Sequence, residues 1–111
     1  MRKAYRVKKE KEFQKVFQEG QSFANRKFVV YVLAKDQDHF RVGISVGKKI
    51  GNAVARNAVK RKIRASLFEM NEMIEPTIDF IVIARPSVST LSSKEVYSNL
   101  KHVFKLAKII K

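Results

Sequence analysis

Residues 40–64 read FRVGISVGKKIGNAVARNAVKRKIR, and the change of period inside this stretch decides the fold. Phe40, Val42, Ile44 and Val46 alternate with Arg41, Gly43, Ser45 and Gly47, the period of a strand with one buried face. The second face carries almost no side-chain bulk, which leaves its backbone open to close approach. After Gly51 the period becomes helical. Asn52 is a good N-cap, and the helix it opens is expected to run to about Glu72, with Pro76 closing the region. At about 100° per residue, Asn57, Lys60, Arg61 and Arg64 share one face of that helix. Val59, Ile63 and Met70 gather on another, the expected core face. Arg56 falls nearer the apolar side, close enough to the helix start to reach out past its end.

A charged helix face is ordinarily a solvated one, but solvated faces mix signs and pair Glu with Lys four residues apart. Here no acid occurs from His39 to Phe68, and Lys48 and Lys49 stand just before the helix. Like charges such as Lys60 and Arg64 cost an isolated helix a few tenths of a kcal/mol. The face therefore calls for an anionic partner. Arginine suits phosphate because its planar fork makes two parallel hydrogen bonds to one anion. The helix start adds unpaired N–H groups and the positive end of the dipole. The segment Lys48-Lys49-Ile50-Gly51-Asn52 lacks the GxxxxGK[ST] spacing, so it is a site for a nucleic-acid backbone and not a nucleotide-binding loop.

The bulk composition agrees. At 111 residues the chain makes a single domain, and 45% hydrophobic residues support a folded globule. Twenty-four Lys and Arg against ten Asp and Glu leave a formal charge of +14. Such a field repels itself, and a polyanion is the natural reason to keep it. The absence of cysteine excludes disulfides, thiolate zinc sites and a Cys nucleophile, and fits a reducing compartment. MRKAYRVKKEKEF has no apolar stretch that could serve as a signal peptide. The longest apolar run, Phe28 to Ala34, is far short of the ~20 residues that span a bilayer. A cytoplasmic protein is expected.

The flanking segments complete the architecture. Lys8 to about Gln18 reads as a short helix stopped at Gly20, with Phe13, Val16 and Phe17 on one side. Phe23 to Lys35 reads as one long strand, apolar on both faces in its middle, and Asp36-Gln37-Asp38 as the turn that follows. Asp79 to Ala84 is a buried strand ended by Arg85-Pro86. Ser92 with Glu95 forms a capping box for a last helix, whose buried stripe is Val96, Leu100, Val103, Phe104 and Ala107. The order is α-β-β-α-β-α, an α+β sandwich of helices on a small sheet. The strand–helix–strand unit from Phe40 to Ala84 permits parallel pairing without settling it.

Phe13, Phe17 and Tyr31 are either ordinary core or a platform on which bases stack. The bare face of Arg41, Gly43 and Ser45 favours the platform, a shallow groove with aromatic walls and basic rims. Catalytic constellations are missing. His39 and His102 have no metal-ligand spacing, and the DQD segment is a turn. Glu69, Glu72 and Glu75, at the end of a basic helix, make no convincing two-metal cluster. The chain reads as a binder.

The segment KKIGNAVxRNxxKRxxR, here Lys48 to Arg64, closely resembles the signature of the bacterial ribonuclease P protein family. EFQKVF (Glu12 to Phe17), the strand from Phe28 to Leu33, RVGISV (Arg41 to Val46) and DFIVIARP (Asp79 to Pro86) agree, so the resemblance runs from about Tyr5 to Lys108. It implies an αβββαβα sandwich of the ribosomal protein S5 domain 2-like type with a left-handed βαβ crossover, against the usual right-handed rule. It also implies a subunit of an endoribonuclease whose catalytic RNA, with magnesium, removes the 5′ leader of precursor tRNA, with no membrane and no protein partner required. By the same resemblance Arg56, Asn57, Lys60, Arg61 and Arg64 face the RNA subunit, with Lys48, Lys49 and Asn52 of the cationic approach expected beside them, while Phe13, Phe17 and Tyr31 form the cleft for the leader, with Arg41 and Ser45 of the bare strand face expected in it. No catalytic or metal-binding residue is expected on this chain. The family usually reads Arg-Asn-Arg where this chain has Arg56-Asn57-Ala58, so that contact is lost or supplied by a neighbour such as Lys62. The rival is a structural RNA-binding protein of the ribosomal type, which would need no leader cleft. A DNA-binding regulator would need a helix with varied base-reading groups, and the Lys/Arg face offers mostly phosphate contacts.

Overall fold

A computed structural model describes residues 5–110. In chain order the elements are α1 (Glu10–Glu19), β1 (Gln21–Ala24), β2 (Phe28–Ala34), β3 (Arg41–Val46), α2 (Ala53–Glu69), β4 (Ile78–Ala84) and α3 (Ser93–Leu106). The sheet runs β1-β2-β4-β3; β2 is antiparallel to β1 and β4, and β3 is parallel to β4, to which α2 connects it. This is the αβββαβα order.

The single long strand expected from Phe23 to Lys35 is instead two, β1 and β2, folded as a hairpin. Asn25 is the reason. Its Oδ1 accepts from the backbone N–H of Lys27 at 2.9 Å and of Phe28 at 2.8 Å, and its own N–H donates to the Phe28 carbonyl at 3.0 Å. A short amide side chain that satisfies the local backbone competes with a continuous ladder and wins. Helix α2 ends at Glu69, a little before the expected Glu72, and its chain tightens into a 3-10 turn over Asn71–Met73. Gly20 does stop α1, yet with an extended backbone. What requires glycine there is space, because a Cβ would lie 2.5 Å from the Val16 carbonyl oxygen and 2.7 Å from that of Val32.

The register sorts the sheet into two faces. Rows such as Val30–Val82–Ile44 and Val32–Phe80–Val42 turn toward α2 and α3. There Val59, Ile63 and Leu67 meet Val96, Leu100, Val103 and Phe104, all buried, and Phe80 packs edge-on against Phe104 at 5.6 Å. Each such side chain contributes about 1.5–3 kcal/mol on burial. The Ser92 hydroxyl and the Glu95 carboxylate cap α3 reciprocally, at 3.2 and 3.0 Å. On the opposite face the rows are Leu33–Asp79–Arg41, Tyr31–Ile81–Gly43 and Val29–Ile83–Ser45. Helix α1 covers part of that face through Phe13, Val16 and Phe17, and the rest stays half-exposed. The free edge of β3 is paired by the N-terminal segment, where the Val7 N–H donates to the Val42 carbonyl at 3.0 Å.

Candidate nucleic-acid interface

The approach to α2 is built as its residues dictate. Lys48 and Lys49 lie exposed in a 3-10 turn, and Gly51 follows at φ 145°, a conformation that favours glycine. Asn52 caps the helix, its Oδ1 accepting from the Ala55 N–H at 3.0 Å. Val59, Ile63, Leu67 and Met70 go into the core, which leaves Asn57 and Arg61 exposed and Arg56, Lys60 and Arg64 half-exposed. All the salt bridges among the described residues lie elsewhere, between Lys35, Arg41, Glu12 and Asp79. The α2 cations therefore present their full charge outward. Lys62 is the exception. Its Nζ donates to the Leu91 carbonyl at 2.8 Å, which ties α2 to the turn after β4.

The aromatic residues form a second region beside the first. Phe13 and Phe17 are 6.5 Å apart between centroids, and Tyr31 meets Phe17 edge-on at 4.9 Å. Phe17 is 39% exposed, too open for a core residue. The groove expected over Gly43 is filled by the protein itself, because a Cβ at Gly43 would lie 2.6 Å from the Phe13 ring. The open part of the face lies beyond, toward Val29, Ile83 and Ser45. Next to Phe13 a cavity is lined by Val42, Gly43 and Ile44 of β3 and by Arg6, Lys60 and Arg64. Two cations of the α2 face thus line one cavity together with Phe13.

Arg41 sits differently from the other cations. Its Nε and Nη2 grip the Asp79 carboxylate at 3.0 and 2.6 Å, and its Nη1 holds Glu12 of α1 at 2.6 Å. Asp79 is 1% exposed and also accepts from Gln37 at 3.0 Å, with Lys35 at 3.8 Å. Burial raises the Asp79 carboxyl, but the hydrogen bonds from Arg41 and Gln37 and the nearby positive charges outweigh it and hold the group below its ordinary value. Glu12 follows the same pattern: burial raises it, while Arg41 and the backbone N–H of Lys9 bring it down. The bond to Asp79 in turn raises Arg41, so its proton stays on.

The histidines are engaged in the scaffold. His39 stacks on Tyr5 at 4.1 Å and its Nδ1 lies 2.9 Å from the Phe40 carbonyl, while His102 Nδ1 lies 3.2 Å from the Asn25 amide nitrogen. Among the described residues no three His, Cys, Asp or Glu side chains converge to hold a metal ion, and no helix is long and apolar enough to cross a membrane. Sequence reasoning overlooked Arg6, which only the pairing of the N-terminal segment on β3 brings to the cavity. It also overlooked the Glu12–Arg41–Asp79 chain. The available signal was Asp79 itself, a charge at the head of an otherwise apolar strand, which burial obliges to find a cation.

Known proteins match this geometry. The family model described as Ribonuclease P matches residues 1–108. The ribonuclease P protein component of Enterococcus faecalis is 72% identical over 111 residues, covering 99% of this chain and 94% of that protein. That of Ligilactobacillus salivarius is 67% identical, covering 99% and 98%. The crystallised RNase P protein of Staphylococcus aureus superposes with a TM-score of 0.90 at 45% identity, covering 98% of this chain and all of that one. The RNase P protein of Thermotoga maritima gives 0.84 at 30% identity, covering 91% and 96%.

Proposed function

Since this chain belongs to the ribonuclease P protein family, and so is the protein subunit of an RNA–protein endoribonuclease of tRNA 5′ maturation that partners the RNase P RNA, we propose a division of its surface between two RNAs. The outward cations of α2 and its approach, Lys48, Lys49, Asn52, Arg56, Asn57, Lys60, Arg61 and Arg64, bind the RNA subunit. The cleft of Phe13, Phe17, Tyr31 and Ser45, closed at one end by Arg41, receives the single-stranded 5′ leader of precursor tRNA. The observation that carries this reading is the cavity that Lys60, Arg64 and Phe13 line together. A strand leaving the RNA subunit would meet these cations next to the first of the aromatic rings.

The chain's own part is to bind and orient. Cations neutralise backbone phosphates, and an exposed ring stacks a base for about 1–3 kcal/mol. We assign phosphodiester cleavage to the RNA subunit, where magnesium, when bound, would supply an activated hydroxide. The proposal places the assembly in the cytoplasm, and the lack of cysteine fits a reducing compartment.

The test compares precursor tRNA carrying a long leader with a leaderless one, using holoenzyme reconstituted with the RNA subunit. Phe17→Ala or Tyr31→Ala is expected to weaken the long-leader substrate about tenfold, the value of one stacked base, and to spare the leaderless one. Equal losses on both would remove the aromatic cleft from leader binding.

A further inference from the structure

The Arg41 guanidinium, placed on the cleft face of β3, has its three nitrogens already taken by two carboxylates. A cation spent in this way makes a poor phosphate ligand. The chain of contacts runs from Asp79, buried in β4, through Arg41 to Glu12 on α1, and so joins three elements. Glu12 is equally committed. One of its oxygens accepts from the Lys9 N–H at the start of α1, at 3.2 Å, and the other takes Arg41. The residue after Glu12 is Phe13, whose ring lies against Gly43, and one turn further Phe17 meets Tyr31. We propose that Arg41 is a positioning residue: anchored on Asp79, it holds Glu12 and thereby sets where α1 lays Phe13 and Phe17 on the sheet, which fixes the width of the leader cleft. The proposal rests on the reading of that cleft as the leader site.

The other named side-chain contacts of α1 with the sheet are apolar or aromatic: Val16 is buried, Phe13 lies against Gly43 and Phe17 touches Tyr31 by an edge. A charge-assisted hydrogen bond is directional, and the Arg41 that holds Glu12 is itself anchored on Asp79, a carboxylate 1% exposed. The two roles open to Arg41 predict opposite signs for loss of Glu12. If Arg41 grips leader phosphates, removing its competitor frees it and tightens leader binding. If Arg41 positions α1, removing Glu12 loosens the cleft and weakens it, although one repelling negative charge has gone.

Replacing Arg41 would strand the Asp79 charge in the core and risk unfolding, so the experiment works on Glu12, whose side chain is 26% exposed. Holoenzymes carrying Glu12→Ala, Glu12→Gln, Phe17→Ala and the Glu12→Ala/Phe17→Ala pair are titrated with long-leader and leaderless precursor tRNA, with RNA-subunit affinity and thermal melting measured alongside. Glu12→Ala is expected to weaken long-leader binding roughly tenfold and to leave leaderless and RNA-subunit binding unchanged. Glu12→Gln, whose amide oxygen still accepts from Arg41, restores most of the loss. The double variant should lose less than the sum of the two single losses, because Phe17 is one of the two rings that Glu12 positions. Unchanged or tighter long-leader binding in Glu12→Ala, with Phe17→Ala still leader-selective, overturns the positioning role. Equal losses on both substrates overturn it too, reducing the chain of ion pairs to fold stability. If Phe17→Ala shows no leader selectivity, the cleft reading itself has failed.

Discussion

Asp79 and Ser66 are the buried polar side chains among the described residues, and Asp79 alone of them is charged. It is tolerable because Arg41 meets it with two hydrogen bonds and Gln37 adds a third. Asp79→Asn should cost about 3 kcal/mol in urea unfolding, since it removes the buried charge and leaves the half-buried Arg41 with Glu12 as its remaining counter-charge. The sign with pH follows from the lowered carboxyls of Asp79 and Glu12. A group depressed on folding contributes its stability above its unfolded value, ~4 for these side chains, and loses it as pH falls through the folded one. The urea midpoint should therefore hold near neutrality and decline below about pH 5, and the decline should be shallower in Asp79→Asn. At this scale the α2 cations were legible because helical periodicity places residues a few positions apart. Arg41 was not, because its partners lie in another strand and another helix.

At the scale of elements, the proposed division of the surface gives α2 two roles, and the cations Arg61 and Arg64 test them separately. Arg61 is exposed, while Arg64 lines the cavity next to Phe13. Arg61→Ala should weaken the RNA subunit alone, whereas Arg64→Ala should also reduce the advantage of a long leader; parallel binding titrations on both RNAs check this. Gly43→Ala is the corresponding change on β3. Its methyl would stand 2.6 Å from the Phe13 ring, so the ring must shift, and long-leader affinity should fall while the RNA-subunit affinity holds. Helices, caps and the alternation of β3 were legible because they depend on neighbours in the chain. The split between β1 and β2 was not, because Val and Phe around Asn25 favour a strand everywhere except where one amide turns the backbone. Nor was it legible that the space above Gly43 belongs to Phe13: a bare strand face indicates a close approach without saying by what.

At the scale of the molecule, the charge of +14 is arranged so that the acids with resolved ion pairs brace α1 and the sheet while the α2 cations look outward. If binding of the RNA subunit neutralises about six phosphates at the single-strand value, log K against log salt should fall with a slope near −4, and Arg61→Ala with Arg64→Ala should flatten it by more than 1. An unchanged slope would take both side chains off the phosphates. The parallel register of β3 on β4 is a property of this scale, and the sequence between them allowed it without requiring it. The most direct measurement is precursor-tRNA cleavage at low magnesium by the RNA subunit alone, by this protein alone, and by the two together. Cleavage at the mature 5′ end that requires both is the expected result. Cleavage by the RNA subunit at the same rate with and without the protein would contradict the account.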